Sequence, residues 1–121
     1  MKNPAAININ LSYLYTVSGG DTTFEKMVLM GAVDDIQSQV EKLQLDWNKK
    51  DAVNIRRNAH SLKSVVAIAG LSEMEANCNN IEQLFADEEF HSEGLVYLNK
   101  ILSLWVIAKP MMEEMIVATY P

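Results

Sequence analysis

The chain has 121 residues, 49% of them hydrophobic, and carries 10 Lys and Arg against 16 Asp and Glu for a formal net charge of -6. That length suits one compact core and argues against a second. The acidic balance argues against nucleic acid, whose backbone requires a positive surface to release counterions, and more weakly against anionic membranes. A single cysteine, Cys78, excludes an intramolecular disulfide, and two histidines are too few to assemble a Cys/His metal spacing.

The opening MKNPAAININ has no apolar core of the length a secretory signal needs, so residues 1–9 are expected to be a short tail on a protein of the reducing cytoplasm. The longest uninterrupted apolar run is Val65 to Leu71, far short of the roughly 20 residues that span a bilayer. INLSYLYTVSGGD then predicts a short helix with Leu11, Leu14 and Tyr15 on one side, ended by Gly19-Gly20 and placed as a lid on the end of the domain.

Helical spacing of apolar residues follows four times, and sustained period-2 alternation never appears. The first long helix is expected from Asp21 or Thr22, with a Thr22/Glu25 capping box, to about Trp47. Its core stripe is Leu29, Val33, Ile36, Val40 and Leu43. NKKD turns the chain, Asp51 caps the second helix, and Ile55, Ala59, Leu62, Val66 and Ala69 form its stripe. Gly70 suits a left-handed C-cap, and Ser72 with Glu75 reads as the next capping box. Leu71, Met74, Cys78, Ile81 and Phe85 mark the third helix, which stops in ADEEF; Cys78 on that stripe reads as a core thiol. The fourth is expected from about Ser92 through Leu95, Leu98, Leu102, Trp105, Met112 and Met115, with a kink or restart near Lys109 imposed by Pro110. Its Met-rich tail, KPMMEEMIVATYP, is expected to close the core, with dimerisation or partner contact as the alternative reading. Short turns between four such stripes predict an all-α fold, an antiparallel up-down four-helix bundle with a short N-terminal helix, as one domain with the bundle over about residues 21–118.

On the second helix the stripe falls within roughly 40° of Ile55, whereas His60 lies at about 140° and faces solvent. Its helical neighbours are Arg56, Lys63, Ser64 and Ala67, with Val53 two turns earlier. Cations near an imidazole disfavour imidazolium, leave the ring nucleophilic and attract an incoming phosphoryl group. Residues 51–67 hold three basic side chains and one acidic one; residues 73–93 hold seven acidic ones and no Lys or Arg. The same face also fits a solvated helix with no chemistry of its own. Glu88 and His91 have Glu-x-x-His spacing, but a ferritin-like metal site needs two such motifs, so His91 reads as a surface residue and no metal site is expected.

Ala59-His60-Ser61-Leu62-Lys63, with Gly70 ten residues after the histidine, resembles the motif A-H-x-L-K-G-S-x-x-x-x-x-G of the histidine-containing phosphotransfer (HPt) domain. The Gly-Gly-Asp turn before the first long helix, KKDAVNIRRNAHSLKS, and Cys78, Ile81 and Glu82 extend the resemblance over nearly the whole chain. It implies a relay intermediate without its own ATP site or cofactor. His60 would take a phosphoryl group from a receiver-domain aspartate and pass it to another receiver, between hybrid histidine kinases and response regulators. Mg2+ would come with the receiver. Lys63 and Arg56 would support the phosphoryl charge, and Val53, Arg57, Ser64 and Ala67 would dock the partner. Two positions depart from the pattern: Ser64 replaces the usual glycine one turn from the imidazole, and Val65 replaces a usual Ser or Ala. The alternative is an HPt-like docking adaptor that transfers nothing.

Overall fold

A computed structural model of the protein describes residues 7–121; the first part of the expected tail, residues 1–6, lies outside them. Ile7 and Ile9 already pack against the core. The described chain is helical throughout its regular structure: α1 (Ser12–Ser18), α2 (Thr22–Asn48), α3 (Ala52–Ile68), α4 (Ser72–Leu84), a 3-10 turn (Ser92–Gly94) and α5 (Leu95–Thr119). α3 packs between α2 and α4, and α5 closes the ring against α4 and α2, giving the expected four-helix bundle. No helix among the described residues is long and apolar enough to cross a membrane.

The stripes of α2 and α3 face inward as the periodicity predicts. Leu29, Ile36 and Leu43 are fully buried, and so is every member of the α3 stripe from Ile55 to Ala69. Burying each large aliphatic side chain stabilises the bundle by about 1.5–3 kcal/mol relative to leaving it in water. The α2–α3 turn is as short as helix capping allows. Lys50 takes a left-handed conformation (φ 56°), the Asp51 amide returns to the Asp46 carbonyl at 3.0 Å, and the Asp51 side chain caps α3 by accepting from Asn54 N at 3.2 Å. Asp46 is buried, and its carboxylate is satisfied by the Asn58 side-chain amide, which fixes α3 against α2.

Several local expectations are corrected. The Thr22/Glu25 capping box does not form: Asp21 caps α2 by accepting from Phe24 N at 3.0 Å. Glu25 is buried instead, accepting hydrogen bonds from Ser18 Oγ and, at 2.8 Å, from Tyr120 Oη, so it joins α1, α2 and the C-terminal residues. The Ser72/Glu75 box is also absent. The Schellman turn at Gly70 sends Leu71 N back to Val66 O at 2.9 Å and buries Leu71, so an apolar residue occupies the N-cap of α4. Tyr15 is exposed, leaving Leu11 and Leu14 as the inner residues of the lid.

α5 departs most. Leu95 is exposed and Leu102 only half-buried, while Leu98, Ile101, Trp105, Ala108, Met112 and Ile116 make the seam. Apolar residues surround this helix on nearly all sides, so its pattern defines the inward direction poorly. It also runs through Pro110 without interruption. The donor that proline lacks would have served the carbonyl of Val106, a residue on the exposed side of the helix, where solvent access keeps the loss of that bond inexpensive.

Cys78 is fully buried, as expected of a core thiol. Burial pushes it up to about 12, with the Glu75 and Glu82 charges adding to the effect and Lys63 opposing it. Alkylation of Cys78 in the native protein is expected to be at least about a thousandfold slower than in denaturant, because reaction then waits on opening of the fold. Native and denatured rates within tenfold of each other would contradict this burial.

Candidate functional site

His60 sits in the middle of α3, and its side chain is 66% exposed, as the helical arithmetic predicts. Its Nδ1 hydrogen-bonds the Oε2 carboxylate oxygen of Glu82 on α4. The other oxygen of that carboxylate, Oε1, accepts from Lys63 Nζ at 2.6 Å, and Lys63 also reaches Asn79 Oδ1 at 3.4 Å. One carboxylate therefore holds both the imidazole and the ammonium. Partial burial works to raise the Glu82 carboxyl, but the hydrogen bonds from Lys63 and His60 outweigh it and leave the group below its ordinary value.

This pairing has a consequence for the ring. An ionised carboxylate accepts only, so a neutral His60 facing it carries its proton on Nδ1 and keeps the lone pair on Nε2. The seam that produces this arrangement follows from packing. Cys78, Ile81 and Phe85 point into the core, and Glu82, next to Ile81, is carried to the flank of α4 that meets α3.

The picture of a freely basic face is corrected in the same step. Arg56 Nη2 lies 3.7 Å from Glu88 Oε2, and Glu88 is presented by a left-handed backbone conformation (φ 60°) just after α4. The acidic segment thus folds onto the basic helix, and Arg56 and Lys63, the cations beside His60, each have an anionic partner. Arg57, Ser64 and Val53 are exposed on the His60 side of α3, and Ala67 is half-buried. Ser64, one turn after His60, is open to solvent, so its small side chain leaves the ring accessible.

Glu82 is the member of this cluster that reading α3 by itself does not assign. It is 22 residues from His60 in sequence, and only the inward direction of Cys78 and Ile81 locates it at the α3–α4 seam.

His91 is not a plain surface residue. Its ring packs edge-on against Phe85 with centroids 5.6 Å apart, beside the Trp47, Phe85 and Phe90 cluster, and its Nε2 lies 2.9 Å from Asp87 Oδ1. Glu88, the other half of the Glu-x-x-His spacing, is turned to Arg56. The bond to Asp87 raises the His91 pKa, outweighing the opposing effect of desolvation, and the same bond lowers Asp87. A raised histidine contributes stability below its ordinary pKa that disappears as pH rises through the folded value. The depressed Asp87 contributes stability above its ordinary pKa that disappears as pH falls. Between those limits the contact is fully formed, and on the near-neutral side His91→Ala is expected to remove a shallow fall of melting temperature with rising pH. An unchanged slope in that variant would place the dependence elsewhere.

The chain matches the family model of the Hpt domain over residues 29–103, a span holding α3, α4, His60, Lys63 and Glu82. No curated protein and no solved structure matches it. With more than half of its length matched and a helical bundle presenting a histidine on its surface, the chain belongs to the Hpt domain family, and its general role is histidine phosphotransfer in a phosphorelay.

Proposed function

We propose that His60 is the phosphoryl carrier of this chain, taking the group from the aspartyl phosphate of one receiver domain and yielding it to the aspartate of another. The observation that supports this most directly is the exposed imidazole whose Nδ1 is held by Glu82, leaving Nε2 toward solvent as the nucleophile. The Nε2 lone pair forms the N–P bond while the P–O bond to the receiver aspartate breaks and releases its carboxylate. The ring gains positive charge, and Glu82 stabilises it through the Nδ1 proton. Donation to the next receiver runs the same steps backwards.

In this reading Lys63 and Arg56 support the phosphoryl charge from their positions beside the ring, and Val53, Arg57, Ser64 and Ala67 receive the partner surface. The chain acts as a carrier, with Mg2+ brought by the receiver. The lone, buried Cys78 thiol supports a reducing, cytoplasmic setting.

The test is to incubate the protein with a phosphorylated receiver domain and Mg2+, and to map the label. Acid-labile, base-stable label on the peptide containing His60 is the expected result. Label on His91 would overturn the assignment, and no label across a broad receiver panel would leave a docking adaptor.

Glu82 provides a graded check. Glu82→Ala is expected to keep the fold and slow transfer onto His60 by about 10- to 100-fold, the scale of one hydrogen bond to a charged group. Glu82→Gln, which still accepts from Nδ1 through its amide oxygen, should fall between that variant and the wild type. Equal rates in all three proteins would remove Glu82 from the chemistry.

A further inference from the structure

The seam opposite His60 carries a feature that phosphotransfer does not use. The helices follow one another around the bundle in the order α2, α3, α4, α5, so the His60–Glu82 contact lies on the α3–α4 side and the α2–α5 seam lies behind it. On that seam is an open, mostly apolar groove of about 480 Å3, lined by Lys26, Met30 and Asp34 from α2 and by Glu113, Ile116 and Val117 from α5, among others. Met27, Met30 and Val117 are large apolar side chains exposed at or beside it. Other large apolar side chains are exposed singly elsewhere, but here they border an apolar groove, and such a grouping marks a contact site.

Charge placement identifies the occupant. None of the ion pairs among the described residues uses Lys26, Asp34 or Glu113. Lys26, Met30 and Asp34 succeed one another at intervals of four along α2, forming one row that reads cation, apolar, anion. The two charges stand two turns apart, about 12 Å along the axis, and cannot meet within one copy. A two-fold axis through Met30 reverses the row. It lays Lys26 of each copy against Asp34 of the other, with the two Met30 side chains in contact between them, and sets Glu113 on the same border. Such matching of a patch with itself is what an isologous interface requires.

We propose that the α2–α5 face pairs with the same face of a second copy, forming a two-fold dimer centred on Met30. A receiver is not the occupant of this face, because it must reach His60 on the opposite side. The dimer therefore leaves both histidines open, and each could be served independently.

Sedimentation equilibrium over a micromolar concentration series tests this pairing, with circular dichroism reporting the helix content of every variant. The wild type is expected to move from monomer to dimer with concentration. Lys26→Glu and Asp34→Lys should each weaken association about tenfold, because symmetry counts each change twice. The variant carrying both changes should return to within about threefold of the wild type, since the row then reads anion, apolar, cation and pairs as before. Met30→Glu places two carboxylates on the axis and should be monomeric while keeping wild-type label uptake on His60. A wild type that stays monomeric throughout the series overturns the proposal. A dimer indifferent to these changes, or a double variant weaker than either single one, overturns it as well.

Discussion

A His60→Gln variant is expected to fold as the wild type does and to carry no phosphoryl label. Folding survives because the side chain is 66% exposed and its hydrogen-bond partner among the described residues is the Glu82 carboxylate; the amide N–H of glutamine can donate to the same oxygen. Surface changes of this kind usually alter stability by less than about 0.5 kcal/mol. Transfer is lost because an amide nitrogen has its lone pair delocalised into the carbonyl and does not attack phosphorus, whereas Nε2 of a neutral imidazole does. The two readouts separate a chemical role from a structural one. Normal helix content and melting temperature with no label assign the chemistry to the ring. Wild-type labelling in this variant, by contrast, would eliminate His60 as carrier and redirect attention to His91.

How far the sequence reaches can be seen residue by residue. The α3 stripe, Ile55 to Ala69, is read correctly because polar residues alternate sharply with apolar ones, and that contrast also directs His60 outward. α5 lacks the contrast: Leu95, Val96 and Leu102 compete with Leu98, Ile101 and Trp105 for the inward direction, and only contact with α2 and α4 decides. The caps fail for a related reason. Ser72 and Glu75 have the spacing of a capping box, but the tight Gly70 turn hands the cap position to buried Leu71. At the site, summing charge over residues 51–67 and 73–93 separates a basic helix from an acidic one, and packing then brings the two together. Lys63 with Glu82 and Arg56 with Glu88 are the result. Long-range complementarity of this kind was visible as opposite charge and invisible as pairing, since no local pattern links residues on different helices.

Gly70 shows the same limit in a single residue, and its replacement by alanine is expected to be the most damaging small change to stability. Its left-handed conformation (φ 73°) follows from its place after α3, where Gly70 N meets Ala67 O at 3.1 Å and Leu71 N meets Val66 O. A non-glycine residue held there costs on the order of 1 kcal/mol. The larger cost comes from a neighbour 60 residues earlier in the chain. A Cβ on Gly70 would stand 1.9 Å from the Asn10 carbonyl oxygen and 2.4 Å from its carbon, both backbone atoms that cannot rotate away. Relief requires the segment before α1 to move, which breaks the 3.0 Å bond from Asn10 N to Gly70 O and disturbs the seating of Ile9 and Leu11 on the core. Together these should destabilise the protein by about 3 kcal/mol or more and lower the melting temperature by roughly 10 °C. Gly19→Ala is the matched control. That glycine has a similar backbone (φ 59°) but nothing within 4 Å of the added carbon, so it should lose only the conformational part, about 1 kcal/mol. If thermal melts show the two variants losing equal stability, the contact between Asn10 and the α3–α4 turn does not hold in solution, and the lid does not rest on Gly70.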